Sequence, residues 1–230
     1  MASPLASRTR ALIIAVDRFS VHVARRWLLY AFVFLATFSG LPFVAPVAQK
    51  YGYQGISDAI YWIYGLTCHQ LAYRSFFLYG TQYAYSLDDL QRALTVSNPL
   101  VDVTAWREFR GNDALGYKMA FCERDAAIYM TMALAVIVFA FTRKRARGLP
   151  FRWYLILMLP MAVDGTWQLL STLMTVSPFA NGFPMHESTP FLRVVTGALF
   201  GIGTAWFTFP IFNQAMNDLE HDASRQLARI

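Results

Sequence analysis

The chain has 230 residues, of which 56% are hydrophobic and 16% aromatic against only 15% charged; a soluble domain carries roughly 25% charge, so this composition is that of a polytopic membrane protein. The formal net charge is +6, but the basic residues gather beside hydrophobic runs instead of covering a face, which is a pattern of membrane orientation and argues against a nucleic-acid partner. Two cysteines without a C-x-x-C pair exclude a multi-disulfide scaffold and any four-thiolate cluster.

Met1 to Arg26 holds Arg8, Arg10, Arg18, Arg25 and Arg26 against Asp17, with Leu12, Ile13, Val16, Phe19 and Val23 recurring at helical spacing. Residues 1–26 are expected to form an amphipathic helix on the cytoplasmic surface. Trp27 to Val47 is uncharged and reads as the first span, its start held inside by Arg25 and Arg26, with Pro42 and Pro46 at its exit. Ile56 to Tyr79 is long enough to cross a bilayer but contains Asp58, Cys68, His69, Gln70 and Arg74, so its reading depends on orientation. Arg143-Lys144-Arg145-Ala146-Arg147, followed by Arg152, is the densest basic cluster and is assigned to the cytoplasm. Ala126 to Thr142 then runs inward, and Gly80 to Asp125 lies outside. Ile56 to Tyr79 would begin and end on the outer side, as a re-entrant or interfacial helical hairpin buried in protein; the competing solution is a full span with the N-terminal arginines outside.

Gly80 to Asp125 mixes Arg92, Arg107, Arg110, Lys118 and Arg124 with seven acids. Short helices are expected there: Ser86 opens a capping pattern before Asp88 to Leu94, and Asn98-Pro99 breaks it. Trp153 to Val176 returns outward, residues 177–190 form an outer turn, Leu192 to Phe212 comes back in, and residues 213–230 form a charged cytoplasmic tail. The expected fold is all-α, a polytopic membrane helical bundle over residues 27–212. It has about four spans plus a re-entrant or fifth helix, and a small outer cap inserted at 80–125. The chain is expected to be integral to the cytoplasmic membrane with its N-terminus in the cytoplasm.

Three constellations could carry chemistry. If hairpin and cap meet, Cys68, His69 and Cys122 could bind a soft or borderline divalent ion such as zinc, with Asp125 or a water completing a tetrahedron. The alternatives are a disulfide between Cys68 and Cys122 or two unrelated buried thiols. In the segment from Trp153, Pro160 bends the helix and Asp164 and Gln168 share one face; an intramembrane carboxylate needs a counter-charge, for which Arg74 or Arg193 is expected. Arg193 precedes Gly197 and Gly201, whose spacing marks close helix packing. Arg74, Asp164, Gln168 and Arg193 are therefore either a ligand-binding cluster or structural ion pairs. No phosphate-cradling glycine loop, G-x-S-x-G or H-E-x-x-H is present.

The set Cys68-His69-Gln70 with Arg74-Ser75, Cys122-x-Arg124-Asp125, Pro160-x-x-x-Asp164-Gly165-x-x-Gln168 and Arg193-x-x-Thr196-Gly197-x-x-x-Gly201 resembles a family of small bacterial and archaeal membrane proteins catalogued as domain of unknown function 2085. The resemblance implies a bundle of several spans and leaves the activity open. Two functions follow. One is a membrane protein whose polar cluster toward the outer leaflet binds a metal or a lipid or quinone head group. The other is a non-catalytic accessory subunit, in contact with other membrane-protein subunits of a respiratory or photosynthetic complex.

Overall fold

The computed structural model describes residues 4–94, 103–176 and 185–229. The chain is mostly helical: α1 (Pro4–Lys50), α2 (Gln54–Tyr64), α3 (Leu87–Leu94), α4 (Val103–Glu108), α5 (Glu123–Thr142), α6 (Phe151–Val176) and α7 (Pro190–Arg229). By length and composition α1, α5 and α7 can cross a membrane, so the protein is an integral membrane helical bundle. α6 is 26 residues long, with Asp164 and Gln168 interrupting its apolar sequence.

Ring contacts fix the directions of the helices. Phe38 of α1 meets Phe121 at 5.4 Å beside the start of α5, while Trp27 meets Phe139 at 6.2 Å near its end, so α1 and α5 are antiparallel. α7 runs parallel to α5, from an Arg193–Glu123 pair to Phe209 against Phe139 at 5.9 Å. α6 runs antiparallel to α7, Tyr154 stacking on Phe207 at 4.8 Å. The segment from Gln54 to Cys122 therefore leaves from the end of α1 and returns at the start of α5, at one end of the bundle.

α1 is a single unbroken rod. The expected amphipathic segment and the first span are successive parts of it, and it continues through Pro42 and Pro46. Pro42 has no N–H to offer the Phe38 carbonyl; the Tyr64 hydroxyl donates to that carbonyl instead, at 2.8 Å, and docks α2 on α1. α7 likewise continues through the residues expected as a tail. Arg25 reaches Glu220 at 2.8 Å, tying the two rods together at the basic end.

Ile56 to Tyr79 is not the expected helical hairpin: only its first part is helical. α2 ends by Gly65, Gln70 takes a left-handed φ of 53°, a single 3-10 turn covers Ala72–Arg74, and Ser75–Leu78 is strand β1. β1 pairs antiparallel with β3 (Gly116–Cys122), which pairs with β2 (Gly111–Asn112), giving the order β1-β3-β2. This small sheet stands where helices alone were expected; alternate burial along Ser75–Leu78 is the strand period of two. α3 begins as expected, with the Asp89 amide donating to Ser86 Oγ at 3.1 Å. The break assigned to Asn98-Pro99, and the 177–190 turn up to residue 184, lie outside the described residues.

Candidate metal centre and buried ion-pair network

Register places the thiols. Ser75 opposes Cys122 across β1 and β3, and Cys122 is the last strand residue and the N-cap of α5, its Sγ accepting the Asp125 amide at 3.4 Å. Cys68 closes α2, its own amide bonded to the Tyr64 carbonyl at 2.9 Å, and its Sγ accepts the Cys122 amide at 3.3 Å. Gln70 holds this loop against the sheet, its buried amide donating to the carbonyls of Tyr61 at 2.9 Å and Ala120 at 3.0 Å. The outcome is a compact donor set. The sulfurs of Cys68 and Cys122 and a carboxylate oxygen of Asp125 lie within 4.8 Å of one another, and both cysteines are free. Two thiols and a carboxylate at that spacing are capable of coordinating a metal ion. His69, adjacent in sequence, is exposed and stands outside the group.

Cations flank both thiols. Lys118 on β3 is fully buried, its Nζ donating to the carbonyls of Gln70 at 2.6 Å, Arg107 at 2.8 Å and Trp106 at 3.3 Å. Burial pushes its ammonium down from 10.5 to about 7, while the charge of Cys68 pulls the other way. Arg74 is close enough to Cys122 to interact with its charge. The Cys122 thiol itself is held well above its ordinary value by its hydrogen bond to Cys68 and by burial, so a metal would enter by displacing protons.

On the same first turn of α5, Glu123 and Arg124 point into a second cluster. Arg193 donates to Glu123 at 2.8 Å, to Glu187 at 2.9 Å and to the Tyr73 carbonyl at 3.3 Å. Arg74 grips Glu187 with two nitrogens, one at 3.0 Å, and Gln168 donates to the same carboxylate at 2.6 Å. Asp164 is paired with Arg124 and accepts the Ser188 hydroxyl at 2.5 Å. Arg193 and Glu123 are 3% and 1% exposed, so their pairing is obligatory. The expected counter-charge of Asp164 is thus corrected from Arg74 or Arg193 to Arg124, because α6 meets the start of α5 at that level while Arg74 and Arg193 converge on Glu187.

Glu123, Glu187, Ser188 and Lys118 were not legible as site residues. Charge balance is a signal that could have found the two acids: Arg74, Arg124 and Arg193, set in apolar sequence, require more carboxylates than Asp164 alone. Lys118 shows only as a charge in the strand-like run Gly116–Cys122.

Residues 110–207 match the family described as "Predicted membrane protein (DUF2085)". That segment contains Cys122, Asp125, Asp164, Gln168 and Arg193; Cys68 and Arg74 precede it. The chain is similar to the uncharacterized protein MJ1492 of Methanocaldococcus jannaschii, 28% identical over 186 residues that cover 80% of this chain and 85% of that protein. No solved structure matches. Over residues 110–207 the chain is therefore similar to that family of predicted membrane proteins, and over most of its length it is distantly similar to that uncharacterized archaeal protein.

Proposed function

We propose that the protein holds a divalent metal ion, zinc being the best fit to the donors, between Cys68, Cys122 and Asp125 at the outer face of the membrane. The observation that carries this reading is the mutual 4.8 Å spacing of the three ligand atoms. Two thiolates and a carboxylate leave one tetrahedral position for water or for an oxygen of a lipid or quinone head group, which is the layout of reactive zinc sites more than of closed structural ones. The residual negative charge of such a centre would favour the charged form of the buried Lys118 ammonium beside it. Arg74, Asp164, Gln168 and Arg193 serve here as the ionic frame that fixes the start of α5, and hence two of the three ligands.

The outer position is supported by the basic run at the far end of α5, which the positive-inside rule assigns to the cytoplasm. Since α1 runs antiparallel to α5, the N-terminus is then cytoplasmic too. With α6 as a fourth span, the sheet and its short helices form an outer cap that does not re-enter the bilayer as a helix. The test is elemental analysis of protein purified without chelator. About one metal ion per chain is expected, lost in Cys122→Ala. A metal-free protein with no titratable thiol under non-reducing conditions would instead assign the pair to a disulfide.

A second reading, an accessory subunit of a larger membrane complex, is favoured by one feature. Beyond Asp164, α6 exposes Trp167, Leu170 and Met174 along one face. Purification in mild detergent with stoichiometric membrane subunits attached, lost when this face is made polar, would support it.

A further inference from the structure

We propose that the groove between α5 and α7 at the basic end of the bundle binds a phospholipid with an anionic head group. This site is independent of the thiol cluster. At roughly 1.5 Å per residue along α5, the rim of the groove lies about 30 Å from Cys122 and its deep end at Thr131 about 14 Å.

The groove has a volume of about 730 Å³, and its walls include Leu134, Ala135, Val138, Ile202, Trp206 and Phe209. The two threonines on its α5 wall have spent their only donors on the helix itself: Thr131 donates to the Ala127 carbonyl at 2.7 Å and Thr142 to that of Val138 at 2.9 Å. A polar solute would lose its hydration there and gain no partner, whereas an acyl chain loses nothing.

Arg145 and Arg147 stand at the rim. Both are exposed, and neither forms a salt bridge among the described residues. Their backbone is nevertheless anchored. Pro210 has no N–H for the Trp206 carbonyl, and the Leu149 amide donates to it at 3.4 Å, while Trp206 Nε1 donates to the Arg147 carbonyl at 3.0 Å. Two guanidinium groups are thus held where an apolar slot opens to the interface. A zwitterionic lipid can fill the slot, but only a net anionic head group meets the charge, which for two arginines near the surface is worth on the order of 20- to 30-fold in affinity.

The experiment uses delipidated protein in non-ionic detergent, supplied with phosphatidylglycerol, phosphatidylcholine or inorganic phosphate. Binding is read by native mass spectrometry and thermal shift. Phosphatidylglycerol is expected to be retained and to raise the unfolding temperature, with phosphatidylcholine far weaker. R145Q/R147Q should weaken the phosphatidylglycerol adduct by that 20- to 30-fold, and Ile202→Trp, which fills the slot and keeps both arginines, should abolish it. The charge-matched control R8Q/R18Q should retain it. Equal binding of the two lipids, an unchanged adduct in R145Q/R147Q or in Ile202→Trp, a loss as large in the control, or full stabilisation by inorganic phosphate alone would overturn the proposal.

Discussion

Two polar clusters share the first turn of α5, and they are built on opposite terms. Glu123 and Arg124 enter a network in which three guanidinium groups and three carboxylates are matched and largely buried. Cys122 and Asp125, three residues apart and so on one face, enter a cluster whose sulfurs are bonded only to backbone amides and to each other. The network matches its charges internally and, among the described residues, leaves only the buried Nε groups of Arg124 and Arg193 without acceptors, so it has no carboxylate left to offer a ligand. The thiol cluster gathers three ligand atoms, and none of the three is ion-paired to a side-chain cation among the described residues. Charge pairing marks architecture, and converging unpaired ligand atoms mark chemistry.

The largest effect is expected from breaking the saturated cluster. Arg193→Met leaves Glu123 as a buried carboxylate without a partner, a loss that typically costs about 3–5 kcal/mol. Thermal unfolding in detergent, or the amount of protein recovered from membranes, should register it. Adding Glu123→Gln should restore part of the loss, because the stranded charge is then gone. If Arg193→Met unfolds like the unaltered protein, the network is not structural and the contrast between the clusters collapses.

Lys118 sharpens the same contrast from the thiol side. Its ammonium titrates near 7 in the folded protein and near 10.5 when unfolded. Below pH 7 both states carry the proton and the burial penalty is fully present. Between pH 7 and 10.5 the unfolded chain holds a proton that the folded chain has released, so stability rises with pH, by on the order of 5 kcal/mol over the full window. The metal-free protein should show this slope and Lys118→Met should flatten it, whatever the substitution does to stability at neutral pH. A flat profile in the unaltered protein would mean that the three carbonyl acceptors keep the ammonium charged throughout.

How much of this could be read in advance depends on the kind of residue. Helix runs with paired arginines at their ends announced the bundle, and Gly197 and Gly201 announced close packing because only small residues let helices approach so nearly. The pairing of Cys68 with Cys122 was legible only as a choice between a metal site, a disulfide and two unrelated thiols; Asp125 was expected as an optional ligand and joins them, while His69, expected among the ligands, is exposed. Partner identity was not. Asp164 pairs with whichever arginine reaches its own level, and that level depends on how far α6 slides along α7, a tertiary quantity with no local signature. Lys118 and Gln70 were hidden for a related reason: a buried cation on a short strand makes sense only once the carbonyls around it have been placed.

The packing of α5 on α7 should give the next smaller effect. A Cβ on Gly201 would crowd Thr131 Oγ1 and sit 2.5 Å from the Ile128 carbonyl, and one on Gly197 would lie 2.6 Å from that of Arg124. Gly201→Ala is expected to cost about 1–3 kcal/mol as an overpacking change. It should also weaken metal retention, since it moves the helix that carries Cys122 and Asp125. Loss of stability with metal content untouched would show that the thiol cluster tolerates motion of α5.

The smallest change in stability is expected from Asp125→Asn, set beside the same substitution at Asp164 in the other cluster. Asp164→Asn removes a carboxylate that is 7% exposed, bonded to Arg124 and Ser188, and strands a guanidinium whose Nε already lacks a partner; it should behave like Arg193→Met. Asp125→Asn is chemically the same change, but the Asp125 side chain is half-buried and its interaction with Cys122 runs through its own backbone amide. The metal-free Asp125→Asn protein should therefore unfold within about 0.5 kcal/mol of the parent, while its metal affinity, measured by competition with a chromophoric chelator, falls by at least about 10- to 100-fold. Equal destabilisation by the two substitutions would place Asp125 in the frame with the other carboxylates and leave the two thiols without a third ligand. Unequal stability together with lost metal would separate the clusters by function, because both changes are isosteric and remove the same charge, and the two carboxylates differ only in burial and in the groups around them.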